Sequence, residues 1–146
     1  MNEYDNIVKD IINNKKVLEM KKYKQHFNTN CYEHSLDVSY ISYKVGKKLH
    51  LDYKSLARAG MLHDLFLYDW HVKNGRKGFH AFTHGKCALN NASQLFDLNK
   101  KEKDMIKKHM WPVTPIPPFS IEGFILTLVD KYCASKEIVK HVIKHK

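Results

Sequence analysis

Residues 53–64 read YKSLARAGMLHD, and this stretch decides how the chain folds. Leu56, Gly60 and His63 recur at the spacing of one helix face, which predicts an amphipathic α-helix with its apolar side against a core. Asp52 precedes the stretch, where its carboxylate can cap the first turn. The helix then ends in a His-Asp doublet on its apolar side. Two ionisable side chains are unusual at such a position.

Two further helical segments are predicted upstream. Residues 5–26 carry apolar side chains at helical spacing and form one broken helix or two short ones, with the break at Asn13-Asn14. Asn30 and Glu33 make a capping-box pair that opens a helix ending near Leu49. The expected core stripe of that helix consists of His34, Val38, Ile41 and Val45.

The downstream half predicts a long loop and three more helices. Residues 67–83 contain two glycines and no helical period, so we expect a loop of the kind that often serves as a lid. Thr83 is expected to cap the next helix, and Asn99 with Glu102 to open another. Four prolines exclude a helix from residues 111–120. The last helix starts near Ser120, is apolar almost all round, and is expected to be the central buried helix.

No window alternates with the period of a strand. The predicted fold class is therefore all-α, a single compact bundle of about five to seven helices, on the general rule that one core organises a domain of this length. Residues 1–146 are expected to form one domain.

Composition excludes several classes of protein. The 43% hydrophobic content of the 146 residues is typical of a globular domain rather than a disordered chain. Three cysteines, an odd number without a C-x-x-C spacing, argue against a disulfide framework and favour a cytoplasmic setting. The acidic N-terminus does not resemble a signal peptide, and no stretch is predicted to span a membrane.

The charge balance favours anionic partners. Lys and Arg number 25 and Asp and Glu 15, a net charge of +10. Only Arg58 and Arg76 are arginines, and the lysines are not interleaved with aromatic residues as in nucleic-acid readers. We therefore expect most of the lysines to lie on solvated helix faces, with a nucleic-acid surface less favoured.

Ionisable residues occupy positions where the helical pattern calls for apolar ones: His34, the His63-Asp64 doublet and Asp130. A buried charge that is not compensated costs several kcal/mol, which is comparable with the free energy of unfolding of a whole domain. Taken singly, each residue has an ordinary explanation, as a hydrogen-bonded core histidine or a helix cap. Taken together, they indicate a shared divalent metal. Imidazole with carboxylate oxygen favours iron, manganese, zinc or nickel.

This arrangement resembles the HD superfamily of metal-dependent phosphohydrolases, which is named for its His-Asp doublet. The resemblance is carried by NCYEHSLDVSYISYKVGKKLH (30–50), LARAGMLHDLFLYDW (56–70), FTHGKCALNNA (82–92) and LVDKYCASKE (128–137). It implies a single HD domain with its core motif region at residues 31–137 and a metal centre between helices.

His84 and His109 extend the resemblance. The order His, His-Asp, His, His, Asp is similar to the HD proteins that hold two metals. That likeness implies one ion held by His34, His63, Asp64 and Asp130, a second held by His84 and His109, and Asp64 as the bridging and catalytic side chain.

A single-metal centre is the alternative. In that case His84 is a residue of a helix N-terminal turn, and His109 is a cation favoured at a helix C-terminus. The implied ions are iron or manganese, with zinc, nickel and cobalt as alternatives.

The implied reaction is hydrolysis of a small phosphate ester, with nucleotides among the candidate substrates, through a metal-bound hydroxide. Lys86, Lys131, Arg76 and Lys77 are the cations expected to hold the substrate phosphate. A dinuclear-iron oxygenase with the same ligand types is the first alternative, and a basic nucleic-acid-binding module is a less favoured one. The doublet runs into LFLYDW without the Lys or the Gly-Tyr-Pro stretch of the cyclic-dinucleotide branch, which argues against that substrate.

Overall fold

A computed structural model describes residues 2–26, 29–65 and 80–144. In chain order its elements are α1 (Glu3–Ile12), α2 (Lys15–Leu18), a 3-10 turn (Glu19–Lys22), β1 (Lys24–His26), β2 (Thr29–Asn30), α3 (Cys31–Lys48), α4 (Tyr53–Leu62), α5 (His80–Leu95), α6 (Lys100–Lys108) and α7 (Ile121–Lys144). The all-α prediction is confirmed. Residues 67–79 of the predicted loop, with Arg76 and Lys77, lie outside the described residues.

Local capping residues start the helices where the sequence predicts. Asn14, Asn30 and Asp52 accept backbone N–H groups at the starts of α2, α3 and α4. Asn99 and Glu102 form a complete capping box at the start of α6, each side chain accepting the other's backbone N–H. Each cap satisfies donors that the first helical turn leaves unpaired.

Two local predictions were wrong. α5 begins at His80 rather than after Thr83, because no glycine or proline separates these residues and the helix can start earlier. The segment 5–26, predicted to be helical, stops being helical at Lys22, because Lys24–His26 form β1, which pairs antiparallel with β2. These strands are too short to show the alternation that marks a strand in sequence.

α3 and α4 lie unusually close together at the centre of the fold. A Cβ atom added to Gly60 would stand 2.7 Å from Ser39 Cα, so only glycine permits this approach. Ser39 Oγ also donates to the Ala57 carbonyl at 2.6 Å. The small residues of α3 therefore face α4.

This packing corrects the predicted stripe of α3. Ile41 and Val45 are only half-buried, whereas the buried face includes Ser35, Ser39, Ser42 and Gly46 beside His34 and Val38. Small side chains let the backbones approach, so they occupy the interface in place of the larger apolar ones.

The expectation that α7 is the central buried helix was also wrong. It buries one side, with Leu126, Asp130 and Cys133, and exposes large apolar residues on the other; Ile121 and Leu128 are each 64% exposed. Its outer side chains line a shallow apolar groove with α3. An almost continuous apolar sequence does not show which faces find neighbours. Among the described residues, no helix is long and apolar enough to cross a membrane.

Candidate metal centre

Five helices bring six ionisable side chains to one point in the core. His34 is in the first turn of α3, His63 and Asp64 directly follow α4, and Asp130 is in the middle of α7. His84 is in the second turn of α5, and His109 directly follows α6. All six are buried; Asp130, at 9%, is the most exposed. These are the six residues that the sequence predicts as ligands.

The Asp64 carboxylate is divided between two pairs of imidazoles. Its Oδ2 atom lies 3.6 Å from His34 Nε2 and 3.3 Å from His63 Nε2. Its Oδ1 atom lies 3.3 Å from His84 Nε2 and 3.4 Å from His109 Nε2. The two oxygens of one side chain thus serve two adjacent groups of donors.

The first group is closed by Asp130. Its Oδ1 atom lies 2.8 Å from His34 Nε2 and 3.1 Å from His63 Nε2. One donor atom from each of His34, His63, Asp64 and Asp130 lies within 4.8 Å of all the others. Two imidazoles and two carboxylates at this spacing can surround a single ion.

The second group is tighter. His84 Nε2 and His109 Nε2 are 2.6 Å apart, and both lie beside Asp64. Two ring nitrogens at this distance repel each other unless a proton or another cation lies between them. Burial and the neighbouring His84 lower the pKa of His109, which favours the neutral imidazole that metals require.

In His63 and His109, hydrogen bonds at Nδ1, the ring nitrogen that faces away from the cluster, orient Nε2 toward it. His63 Nδ1 donates to the Gly60 carbonyl at 2.6 Å, and His109 Nδ1 donates to the Ile106 carbonyl at 2.7 Å. A carbonyl only accepts, so Nδ1 carries a hydrogen and Nε2 is the nitrogen that points into the site. Metal-binding histidines are commonly held in this way.

The carboxylates strongly favour positive charge at the first group. Burial by itself lowers the pKa of His34, but hydrogen bonds with Asp130 and Glu137 outweigh it and raise that pKa to about 9. Burial also opposes charge on His63, yet Asp64 and Asp130 raise its pKa well above the usual value. Burial raises the pKa of both aspartates, and the positive charge of the neighbouring imidazoles lowers it further than burial raises it. The first group therefore favours positive charge, whether it is supplied by protons or by a metal ion.

The donor chemistry fits a metal. The site combines imidazole nitrogens directed inward, buried carboxylates and a close contact between two ring nitrogens that either a shared proton or a metal ion can satisfy. Iron and manganese accept such mixed nitrogen and oxygen donors, as do zinc, nickel and cobalt. The residues present can thus hold one ion in each group, with Asp64 shared.

Comparison with known proteins agrees with this geometry. A family model described as HD domain matches residues 31–135, which is more than half of the chain. The chain belongs to the HD domain family. No solved structure gives a significant match to it.

Of the cations predicted to bind phosphate in this HD domain, Lys131 and Lys86 are among the described residues, and they lie in different surroundings. Lys131 is half-buried next to Asp130, and its Nζ donates to the Trp111 carbonyl at 2.9 Å. Burial lowers the pKa of Lys131. Lys86 is exposed on α5, where no described residue pairs with it. Neither lysine contacts the six clustered side chains in the described part of the chain.

Sequence reasoning missed two residues that shape the HD site. A Cβ atom on Gly85 would lie 2.6 Å from the Lys107 carbonyl oxygen, so this glycine lets α5 approach α6 and sets His84 beside His109. Glu137, on α7, accepts a hydrogen bond from His34 Nδ1 at 2.7 Å. A glycine directly after a predicted ligand was a usable signal of close packing. In the sequence, Glu137 stands next to Lys136 and looks like an exposed residue.

Proposed function

We propose that this HD domain is a metal-dependent phosphohydrolase that cleaves a small phosphate ester, and that Asp64 bridges a two-metal centre. The observation that carries the proposal is the division of the Asp64 carboxylate between two pairs of imidazoles. A shared carboxylate is what two neighbouring cations need in order to act on one phosphoryl group. Membership of the HD family supports the same class of reaction.

When bound, a pair of divalent metals supplies Lewis acidity toward phosphoryl oxygens and lowers the pKa of water. The chain's own contribution is to hold the donors rigidly. The Gly60 and Ile106 carbonyls fix the rings of His63 and His109 from behind. Burial of the cluster limits access of bulk water and strengthens the electrostatic interactions inside it.

The substrate class follows from charge. A net charge of +10 attracts anions, and phosphate esters, including nucleotides, are the small anions that such a centre cleaves. We propose Lys131 and Lys86, with Arg76 and Lys77, as phosphate contacts. Lys131 directly follows Asp130 on α7. The three cysteines, an odd number without a C-x-x-C spacing, support a reducing compartment such as the cytoplasm.

The test is phosphate release by the reconstituted protein. The chain is purified without metal, loaded with Mn²⁺ or Fe²⁺ under anaerobic conditions, and assayed against phosphate monoesters and nucleotides. Asp64→Asn is expected to lower both metal content and turnover, the latter by at least about 100-fold, because it removes the bridging charge.

Asp104→Asn is the matched control. Asp104 is also a buried aspartate, but it pairs with Lys108 on α6 instead of with the cluster. This variant is expected to keep the wild-type metal content. Phosphate release that survives Asp64→Asn, or a chain that takes up no metal, contradicts the proposal.

A dinuclear-iron oxygenase is the second candidate. Four imidazoles against two carboxylates make a nitrogen-rich donor set that suits iron. Oxygen consumption and an EPR signal from half-oxidised iron, without anaerobic phosphate release, favour the oxygenase. Salt-dependent binding to nucleic acid that persists in Asp64→Ala would instead support a binding module.

A further inference from the structure

Glu137 lies behind the metal-centre residue His34. It follows Asp130 by two turns of α7, on the same buried side of the helix, and is 6% exposed. Its Oε2 atom accepts a hydrogen bond from His34 Nδ1 at 2.7 Å, across 103 residues of sequence. The HD family match ends at residue 135 and does not include it.

This hydrogen bond determines which nitrogen of His34 a metal ion can bind. An ionised carboxylate only accepts, so the hydrogen of the ring is on Nδ1. The opposite nitrogen, Nε2, faces Asp130, 2.8 Å away, and Asp64, 3.6 Å away, and is the nitrogen on which a metal ion can replace a proton. Glu137 thus presents His34 to the first group in the form that binds a metal.

Glu137 differs from the groups behind the rings of His63 and His109. Neutral backbone carbonyls hold His63 and His109, whereas His34 is held by a full negative charge. Together with Asp64 and Asp130, this makes three carboxylates around the cluster. A third negative charge favours the binding of divalent cations in the buried core.

Packing alone does not account for a glutamate here. Its second oxygen, Oε1, is buried and has no hydrogen-bond partner in the described part of the chain. A buried polar atom without a partner is destabilising. An uncharged side chain of similar size would fill the same space without that cost.

We propose that Glu137 is a positioning residue that fixes the His34 tautomer and adds the third negative charge, and so tightens metal binding at the first group. The inference rests on the proposed metal centre. It concerns the residue behind the ligand, to which the resemblance gives no role and which lies beyond the family match.

The experiment measures zinc affinity by competition with a chelator in wild type and two variants. Glu137→Met removes both the acceptor and the charge at similar volume, and is expected to weaken binding by about 10–100-fold. Glu137→Gln keeps an amide oxygen that can accept from Nδ1, so a smaller loss is expected. Glu122→Gln is the matched control, because Glu122 is a buried carboxylate of the same helix that pairs with Lys101.

A second readout separates positioning from stability. Long-range ¹H–¹⁵N spectra of the zinc-loaded protein should show the His34 Nδ1–H shifted downfield by its hydrogen bond in wild type and in Glu137→Gln, and should show that shift lost in Glu137→Met. Melting of the metal-free proteins reports any structural loss independently. If Glu137→Met fails to fold, the affinity and spectrum of Glu137→Gln decide.

The outcomes distinguish this inference from the proposed function. Wild-type zinc affinity in both Glu137 variants, with only the melting temperature changed, overturns the role of Glu137 and leaves the metal centre intact. A wild-type chain that binds no zinc, manganese or iron overturns both. Weaker binding in Glu137→Met, with Glu122→Gln unchanged, supports the inference.

Discussion

Gly60→Ala tests whether the close approach of α3 and α4 builds the site. The added Cβ would lie 2.7 Å from Ser39 Cα and 3.0 Å from Ser39 N, both backbone atoms that cannot rotate away. An ordinary contact needs at least 3.4 Å, so the helices must separate by about 0.7 Å. Ser39 and His34 are on α3, and His63 and Asp64 directly follow α4, so the separation also pulls the metal donors apart.

The cost can be worked from the same geometry. Forcing a methyl group into a packed interface costs about 1–3 kcal/mol. The better helix propensity of alanine returns up to about 1 kcal/mol. A net loss of about 1–2 kcal/mol lowers the melting temperature by roughly 2–8 °C in a chain of this size. The donors also move by more than the about 0.2 Å that metal–ligand distances tolerate, so metal affinity should fall as well.

Gly46→Ala is the control at the same interface. Its Cβ would lie 2.6 Å from Leu56 Cδ1, the end of a side chain that can change rotamer, and 3.2 Å from the backbone atom Tyr53 Cα, a milder contact than the 2.7 Å one at Gly60. It is expected to be within about 1 kcal/mol of wild type and to keep metal affinity. Thermal melts and chelator competition measure both quantities. If Gly60→Ala melts with wild type and binds metal equally well, the reasoning from the helix approach is refuted.

Three further predictions concern charge and capping. The pKa of His34 is raised to about 9, so its stabilising contribution to the metal-free protein is complete below the unfolded value of 6.5 and is lost as the pH rises through 9. Thermal melts in EDTA from pH 6 to 9.5 should show the melting temperature falling over this range. A melting temperature that rises with pH contradicts the prediction. Over the same range metal binding should release protons and strengthen with pH, which calorimetry in buffers of different ionisation enthalpy detects; no proton release would be inconsistent with imidazole ligands. Asn99→Ala removes the capping box of α6 and should lower the free energy of unfolding, measured with denaturant, by about 1 kcal/mol. Asn90→Ala, at an exposed position of α5, is the control and should lower it little. Equal losses in the two variants would argue against the cap.

Features set by neighbouring residues could be predicted from sequence. Helix starts at Asn30, Asp52 and Asn99 follow from side chains that accept N–H groups within three residues. The His-Asp doublet and Asp130 stood out because charged side chains rarely occupy apolar positions of a helix. Predicting that these residues come together did not require exact helix boundaries.

Features set by residues that are distant in sequence could not be predicted. The outer face of α7 is apolar yet exposed, since periodicity does not show which helix covers which face. The serine-lined face of α3 became its interface only because Gly60 allows the backbones to approach. Glu137 gained its importance from a partner 103 residues away. Such long-range pairings depend on the tertiary fold.

The number of metal ions per chain tests the central claim most directly. Elemental analysis of wild type reconstituted with manganese or iron should give two ions per chain, and His109→Ala should give one, because it removes a donor of the second group only. Retention of two ions in His109→Ala, or a wild type that never binds more than one, would contradict a two-metal centre bridged by Asp64.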